Sequence, residues 1–109
     1  MRIWLIGADQ KGTEALRQLQ KNANFEVIVS DSIEQPKAVT EGVIAKVDYV
    51  EQVSSVNVNK LARRIRPDLI LIDPSAGQRN IGRVTGGSAF SEALLNELIT
   101  VSEYACLLL

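Results

Sequence analysis

The sequence predicts one α/β domain in which helices cover both faces of a mostly parallel, five-stranded sheet. Short apolar runs alternate with helix-like segments along the 109 residues. Two of these runs, Ile3–Ile6 and Leu69–Ile72, are apolar at every position, which is typical of strands buried on both faces. Because helices separate most of the runs, the strands are expected to be joined by right-handed crossovers and to lie parallel.

Hydrophobic spacing and turn residues predict the elements of the first half of the chain. They are a strand over Ile3–Ile6, a helix over Gly12–Asn22, a strand over Phe25–Val29, a loop with a short helix over Ser32–Gly42, and a short strand within Val43–Val53. Ala15, Leu16 and Leu19 share one face of the first helix. Trp4, within the first strand, is predicted to lie in the core.

The second half continues the alternation. Its elements are a helix over Asn57–Arg66, a strand over Leu69–Ile72, a long connection over Pro74–Gly87, a helix over Ser88–Glu103, and a strand over Tyr104–Leu109. Pro67 ends the first of these helices, and Ser88 is a suitable N-cap for the second. The succession predicts a three-layer domain with strand order 3-2-1-4-5, the arrangement of dinucleotide-binding folds.

Composition excludes several kinds of site. The sequence has no His and one Cys, which excludes His-dependent catalysis, His metal sites, an intrachain disulfide and a Cys-only zinc site. No metal is therefore expected. The net charge of -1 gives no general attraction to nucleic acid. No apolar run is long enough for a membrane span, and the predicted location is the cytoplasm.

The final strand has nothing after it in the sequence. Residues 1–109 are therefore predicted to form a single domain that is a fragment, or the first domain, of a longer protein. A further domain or a second copy of the chain is expected to cover this strand, since exposed edges invite pairing.

The turn between the first strand and the first helix is the main candidate for a ligand site. It consists of Gly7, Ala8, Asp9, Gln10, Lys11 and Gly12. In the pattern G-x-G-x-x-G, the first glycine makes the turn, the second admits a pyrophosphate, and the third packs the helix on the strand. Gly7 and Gly12 take the first and third places, but Asp9 replaces the second glycine. The helix N-terminus still offers amide donors, and Lys11 offsets the charge.

Acidic residues at the ends of two other strands extend this site. Asp31, followed by Ser32, comes directly after the carboxyl end of the second strand, roughly 20 residues after the turn. A carboxylate there accepts hydrogen bonds from ribose hydroxyls and repels a 2′-phosphate, which favours NAD over NADP. Asp73 and Pro74 follow the fourth strand at the same edge of the sheet. These residues are predicted to bind a nucleotide, with NAD as the cofactor.

On these motifs the chain resembles the NAD(P)-binding Rossmann-fold superfamily, and within it the nucleotide-binding N-domains of potassium-uptake regulators. The resemblance rests on IWLIGADQKGTEAL and FEVIVSD, and covers Ile3 to Asp31. It implies that Gly7, Gly12 and the backbone of Asp9 line the phosphates and that Asp31 binds the ribose. The implied function is a nucleotide-binding domain, for NAD(H), of a larger oxidoreductase or ligand-sensing regulatory protein.

The long connection after the fourth strand is a candidate site for a substrate or another anion. Arg79 and Arg83 supply bidentate donors. Gly86, Gly87 and Ser88 lead into a helix N-terminus and can form an anion-binding nest. The alternative is a surface loop with solvated arginines.

Two other functions fit parts of the sequence. The segment RPDLILIDP is similar to the central strand of response-regulator receiver domains, which implies that Asp73 accepts a phosphoryl group and that Asp9 binds Mg²⁺. The other alternative is a ligand-free structural or assembly domain. Asp9, at the position where a phosphate would lie, favours that alternative.

Overall fold

A computed structural model of the chain confirms the α/β class and the predicted sheet. It describes residues 1–77 and 87–109, with the side chains of residues 87–91 outside the description. The strands are β1 (Arg2–Ile6), β2 (Glu26–Asp31), β3 (Tyr49–Val50), β4 (Leu69–Ile72) and β5 (Cys106–Leu108). The helices are α1 (Gln10–Leu19), α2 (Lys37–Thr40), α3 (Val58–Ile65) and α4 (Gly87–Val101).

All neighbouring strands are parallel, and the order is β3-β2-β1-β4-β5. β1 lies at the centre, where Trp4 is opposite Ile28 on β2 and Ile70 on β4. The chain first builds outward from β1 to β3 and then crosses back to β4 on the other side of β1. The chain connections therefore run in opposite directions on the two sides of the β1–β4 pair. A crevice is expected outside the carboxyl ends of these two strands.

The strands of the sheet are buried on both faces, which explains their continuous apolar runs. In β1, Trp4 and Ile6 pack with α3 and α4, whereas Ile3 and Leu5 pack on the opposite face with Leu16 of α1. Burying an aliphatic side chain of this size stabilises the fold by roughly 1.5–3 kcal/mol. The two helical layers and the sheet between them form the three predicted layers.

The first helix starts and ends earlier than predicted. α1 begins at Gln10, with Asp9 as its N-cap, so Gly12 lies within its first turn. Beyond Leu19, the amides of Lys21 and Asn22 donate to carbonyls three residues back, which tightens the chain out of α-helical geometry. The apolar spacing alone did not reveal this tightening.

β2 is longer than predicted because its last residues have a partner strand. Ser30 and Asp31 lie opposite Tyr49 and Val50, so β3 carries β2 beyond the predicted end at Val29. β4 matches its predicted range of Leu69–Ile72. α3 lies within the predicted helix, with Asn57 and Arg66 as its caps.

The carboxyl-terminal elements agree with the predicted order but differ in length. The structure gives α4 as Gly87–Val101, and the predicted capping by the Ser88 side chain lies outside the described residues. β5 covers only Cys106–Leu108 of the predicted Tyr104–Leu109. Within the described ranges, no helix is long and apolar enough to cross a membrane.

Candidate functional site at the carboxyl ends of β1 and β4

Backbone hydrogen bonds fix the turn after β1 to the strands on either side of it. The Gly7 amide donates to the Ser30 carbonyl at 2.8 Å, and the Asp73 amide donates to the Ile6 carbonyl at 2.8 Å. Gly7 has φ +88°, and a Cβ at this position would lie 2.9 Å from the Cβ of Asp73. The turn therefore needs glycine here for its conformation and for space.

Gly12 allows α1 to approach β1 closely. A Cβ at Gly12 would overlap the carbonyl oxygen of Gly7 and would lie 2.9 Å from Oδ2 of Asp73. The overlapping atom at Gly7 is backbone, so it cannot move aside as a flexible side chain would. This is the close packing of helix on strand that the third glycine of the motif allows.

Asp73 supplies a carboxylate to the N-terminus of α1. Its Oδ2 accepts a hydrogen bond from the Gly12 amide at 2.6 Å, and its Oδ1 accepts one from the Ser75 amide at 2.8 Å. The residue is only 2% exposed. The N-cap residue Asp9 makes no side-chain capping bond. An anion from the end of β4 therefore occupies a helix amide that was predicted to meet a pyrophosphate.

Asp31 reaches the same turn from the end of β2. Its Oδ2 accepts a hydrogen bond from the Ala8 amide at 2.8 Å, and its Oδ1 accepts one from the Ile33 amide at 3.2 Å. The residue is 2% exposed. A ribose hydroxyl at this position would share the carboxylate oxygens with these two amides.

The crevice beside the turn is narrow. Its volume is about 10 Å³, and Gly7, Asp31, Ser32, Glu51 and Ala76 contribute to its lining. That volume is close to the minimum for one water molecule, whereas pockets for small-molecule ligands are typically about 300–1,000 Å³. The space enclosed by these described residues is therefore too small to hold a nucleotide.

Charge at the turn also opposes a phosphate. The carboxylates of Asp31 and Asp73 contact the turn from either side, and Glu51 lines the crevice. Lys11, the cation predicted to offset the charge of Asp9, is exposed. Its charge is screened by solvent, and it compensates weakly for two buried carboxylates.

Ser75 lies beside the glycine turn, within the predicted Pro74–Gly87 connection, but was not singled out as a candidate site residue. It is 6% exposed, and its Oγ has no hydrogen-bond partner among the described residues. This Oγ lies 3.4 Å from the position of a Cβ built on Gly7. A buried hydroxyl without a partner is uncommon and energetically costly, so Ser75 is a candidate contact for a further polar group. The available signal was its position two residues after a strand-ending aspartate, where an Asx turn orients the chain.

The remaining predicted site residues separate into two groups. Gln10 and Lys11 are exposed at the start of α1, and Ser32 and Pro74 are half-buried at the strand ends. The others belong to the long connection. Three of them, Arg79, Arg83 and Gly86, lie outside the described residues. Gly87 and Ser88 are the first two residues of α4, for which only the backbone is described.

A wider groove lies near the other end of β2. Its volume is about 390 Å³, and Leu19, Phe25, Ile44, Lys46 and Asp48 contribute to its lining. Neither glycine of the turn nor any helix N-terminus lines it. Among the described residues, no group of three or more His, Cys, Asp or Glu side chains is placed to hold a metal ion.

The receiver-like function stays a prediction that two observations do not favour. The order β3-β2-β1-β4-β5 differs from the 2-1-3-4-5 order of receiver-type sheets. Asp73, the residue that would be phosphorylated, is buried and uses both carboxylate oxygens to accept backbone hydrogen bonds.

Comparisons with protein-family models, with curated proteins and with solved structures found no match to this chain. The resemblance to NAD(P)-binding domains and potassium-uptake regulators therefore stays a prediction. The functional argument rests on the geometry of the turn and of the acidic residues around it.

Proposed function

We propose that the chain is a nucleotide-binding domain, with NAD(H) as its ligand, in a larger oxidoreductase or a ligand-sensing regulatory protein of the cytoplasm. The proposal rests on one observation: Asp31 accepts a hydrogen bond from the Gly7–Gly12 turn. This contact lies at the carboxyl ends of the central strands, where the strand order reverses. Ligands of open α/β sheets bind outside the carboxyl ends of the strands at this place.

The ribose and the phosphates of a nucleotide each have a suitable partner here. Asp31 accepts hydrogen bonds from ribose hydroxyls, and the amides in the first turn of α1 donate to phosphate oxygens. The Ser75 hydroxyl, buried without a partner among the described residues, supplies a further donor or acceptor. Binding requires the crevice to widen and the Gly12 amide to be released by Asp73.

Thermal unfolding in the presence of NAD, NADH, NADP, AMP or adenosine tests the proposal. A ligand present at about 100 times its Kd stabilises the native state by about 2.7 kcal/mol and raises Tm. We expect NAD to raise Tm more than NADP, since Asp31 repels a 2′-phosphate. Asp31→Asn should reduce that preference, whereas Asp48→Asn, a matched change away from the turn, should keep it. No Tm shift with any of these compounds at millimolar concentration would contradict the proposal.

A ligand-free structural domain is the second candidate, and the hydrogen bond from Gly12 to Asp73 favours it. In this alternative, the Asp73 carboxylate permanently replaces the phosphate and the crevice stays closed. It predicts no Tm shift with nucleosides or nucleotides for the wild-type chain. Ligand-dependent stabilisation of the wild-type chain contradicts it.

A further domain or a second copy of the chain is also proposed to cover β5. This strand pairs with β4, while Leu107 is 56% exposed and Leu108 is 41% exposed. Apolar side chains on an edge strand are typical of a surface that another chain segment covers. Sedimentation of the wild-type chain and of Leu107→Lys tests the second copy. A wild-type dimer that dissociates in the variant supports it, and a wild-type monomer at high concentration contradicts it.

A further inference from the structure

We propose that Asp73 determines whether the glycine turn accepts a phosphate group. Its carboxylate acts as an internal anion that competes with phosphate for the Gly12 amide, so the wild-type turn prefers a nucleoside to its phosphorylated form. This inference rests on the proposed nucleotide-binding function and concerns the chemical class of ligand that the same site selects.

The competition follows from the position of Gly12 in α1. Gly12 is the third residue of the helix, and its amide is among the first four, which have no partner inside a helix. The Asp73 carboxylate accepts a hydrogen bond from this amide at 2.6 Å, a short distance that fits an ionised acceptor. A phosphate oxygen can bind the same amide only after the carboxylate has left it.

Charge makes this exchange unfavourable for phosphate in particular. Asp31 and Asp73 are each 2% exposed, and they contact Ala8 and Gly12 of the same short turn. A phosphate between them would add further negative charge where little water screens the repulsion. A ribose without phosphate supplies hydroxyl donors, which carboxylate oxygens accept without that repulsion.

Ser75 provides an independent indication that a ligand group belongs here. Its Oγ is buried beside Gly7 and has no hydrogen-bond partner among the described residues. A serine hydroxyl both donates and accepts, so it suits the hydroxyl of a sugar. Two carboxylates and one hydroxyl around the turn therefore fit the ribose of a nucleotide directly, whereas its phosphate binds only at the cost of displacing Asp73.

The test compares the wild-type chain with Asp73→Ser and Asp73→Asn, using calorimetric titration of adenosine and AMP. The matched control is Asp48→Asn. The Asp48 carboxylate likewise accepts a hydrogen bond from a backbone amide, that of Val29 at 2.8 Å, but it lies away from the turn. We expect the wild-type chain to bind adenosine about tenfold more tightly than AMP, the size expected for one charge-assisted hydrogen bond. Asp73→Ser should remove or reverse this preference, and Asp48→Asn should keep it.

Inorganic pyrophosphate separates this inference from the proposed function. We expect it to raise the Tm of Asp73→Ser but not that of the wild-type chain or of Asp48→Asn. If pyrophosphate has this effect while no protein binds adenosine, AMP or NAD, the nucleotide-binding function fails and the role of Asp73 stands. If adenosine and AMP bind with the same affinity ratio in all variants, the role of Asp73 is overturned and the binding function stands.

Two further results would overturn the inference. One is tighter binding of AMP than of adenosine by the wild-type chain. The other is the absence of any pyrophosphate effect on a folded Asp73 variant that also binds no nucleotide, which would overturn the binding function as well. If circular dichroism shows that both Asp73 variants are unfolded, the wild-type preference between adenosine and AMP decides the question.

Discussion

The indole N–H of Trp4 donates a 2.9 Å hydrogen bond to the hydroxyl of Ser30, and both residues are buried at the centre of the sheet. Ser30 lies two positions further along β2 than Ile28, the residue directly opposite Trp4. The bond therefore runs diagonally across neighbouring strands. It allows a tryptophan to be fully buried without leaving its polar atom unpaired.

We expect Ser30→Ala to lower the free energy of unfolding by about 1–3 kcal/mol, since it leaves the buried indole N–H without its acceptor. A double-mutant cycle with Trp4→Phe should give a coupling energy of about 0.5–1.5 kcal/mol. Urea unfolding followed by circular dichroism measures all four proteins. Ser55→Ala is the control, because the Ser55 hydroxyl bonds Glu97 at an exposed position. Coupling indistinguishable from zero would show that the bond contributes nothing.

Gly12→Ala should destabilise the protein by about 1–3 kcal/mol, the usual cost of overpacking. The added Cβ meets the Gly7 carbonyl, so α1 must shift relative to β1. Gly42→Ala is the comparison, because Gly42 has φ +74° and no atom within 4 Å of the added Cβ. Its cost is limited to backbone conformation, about 1–2 kcal/mol. When Gly12→Ala is made in the Asp73→Ser variant, it should reduce stability by less, because the contact of the added Cβ with Asp73 Oδ2 is gone. An unchanged loss of stability would show that the Gly7 carbonyl alone causes it.

Arg2 should contribute more to stability than Arg63. The Arg2 guanidinium donates to the Ile65 carbonyl at 2.7 Å in a part-buried position, and to Glu26 at 3.1 Å. Arg2→Ala should cost about 1.5–3 kcal/mol, as for other hydrogen bonds to charged groups. The exposed pair of Arg63 and Glu103 is expected to contribute about 0–1 kcal/mol and to weaken in salt. Urea unfolding at low and at high salt measures the loss of stability in Arg2→Ala and Arg63→Ala. If the two variants lose the same stability at both salt concentrations, this ranking is contradicted.

Arg66→Gly should leave stability unchanged or raise it by up to about 1 kcal/mol. Arg66 caps α3 with φ +55°, a left-handed conformation that costs a residue with a side chain about 1–2 kcal/mol. Glycine removes that strain but adds freedom to the unfolded chain. Arg64→Gly provides the contrast, since it lies inside α3 and should lose about 1 kcal/mol. Differential scanning calorimetry compares the two, and a larger loss for Arg66→Gly would refute the expectation.

Local sequence patterns predicted the sheet well. The apolar run of β4 marks its ends correctly, and the alternation of strands and helices yields the observed strand order. Helix ends were less predictable. After α1, the amides of Lys21 and Asn22 donate to carbonyls three residues back instead of four, which ends the α-helix. The period of apolar residues carries no information about that change.

The contacts that define the candidate site were not predictable from local patterns. Asp73 was expected to bind a cofactor or to accept a phosphoryl group, but in the structure it caps a helix that begins more than sixty residues earlier in the chain. The indole of Trp4 likewise finds its partner on another strand. Such pairs depend on how strands are set side by side, which spacing within one segment does not specify.

The two carboxylate contacts at the glycine turn also determine when the turn acquires its shape during folding. Ala8 and Asp31 are 23 positions apart in the chain, and Gly12 and Asp73 are 61 positions apart. Closing these loops costs chain entropy before either hydrogen bond is gained. The turn is therefore complete only after β2 and β4 have both joined β1. A ligand that recognises the complete turn would select the fully assembled sheet over partly folded forms, and its binding would protect β4 as well as the turn against local opening.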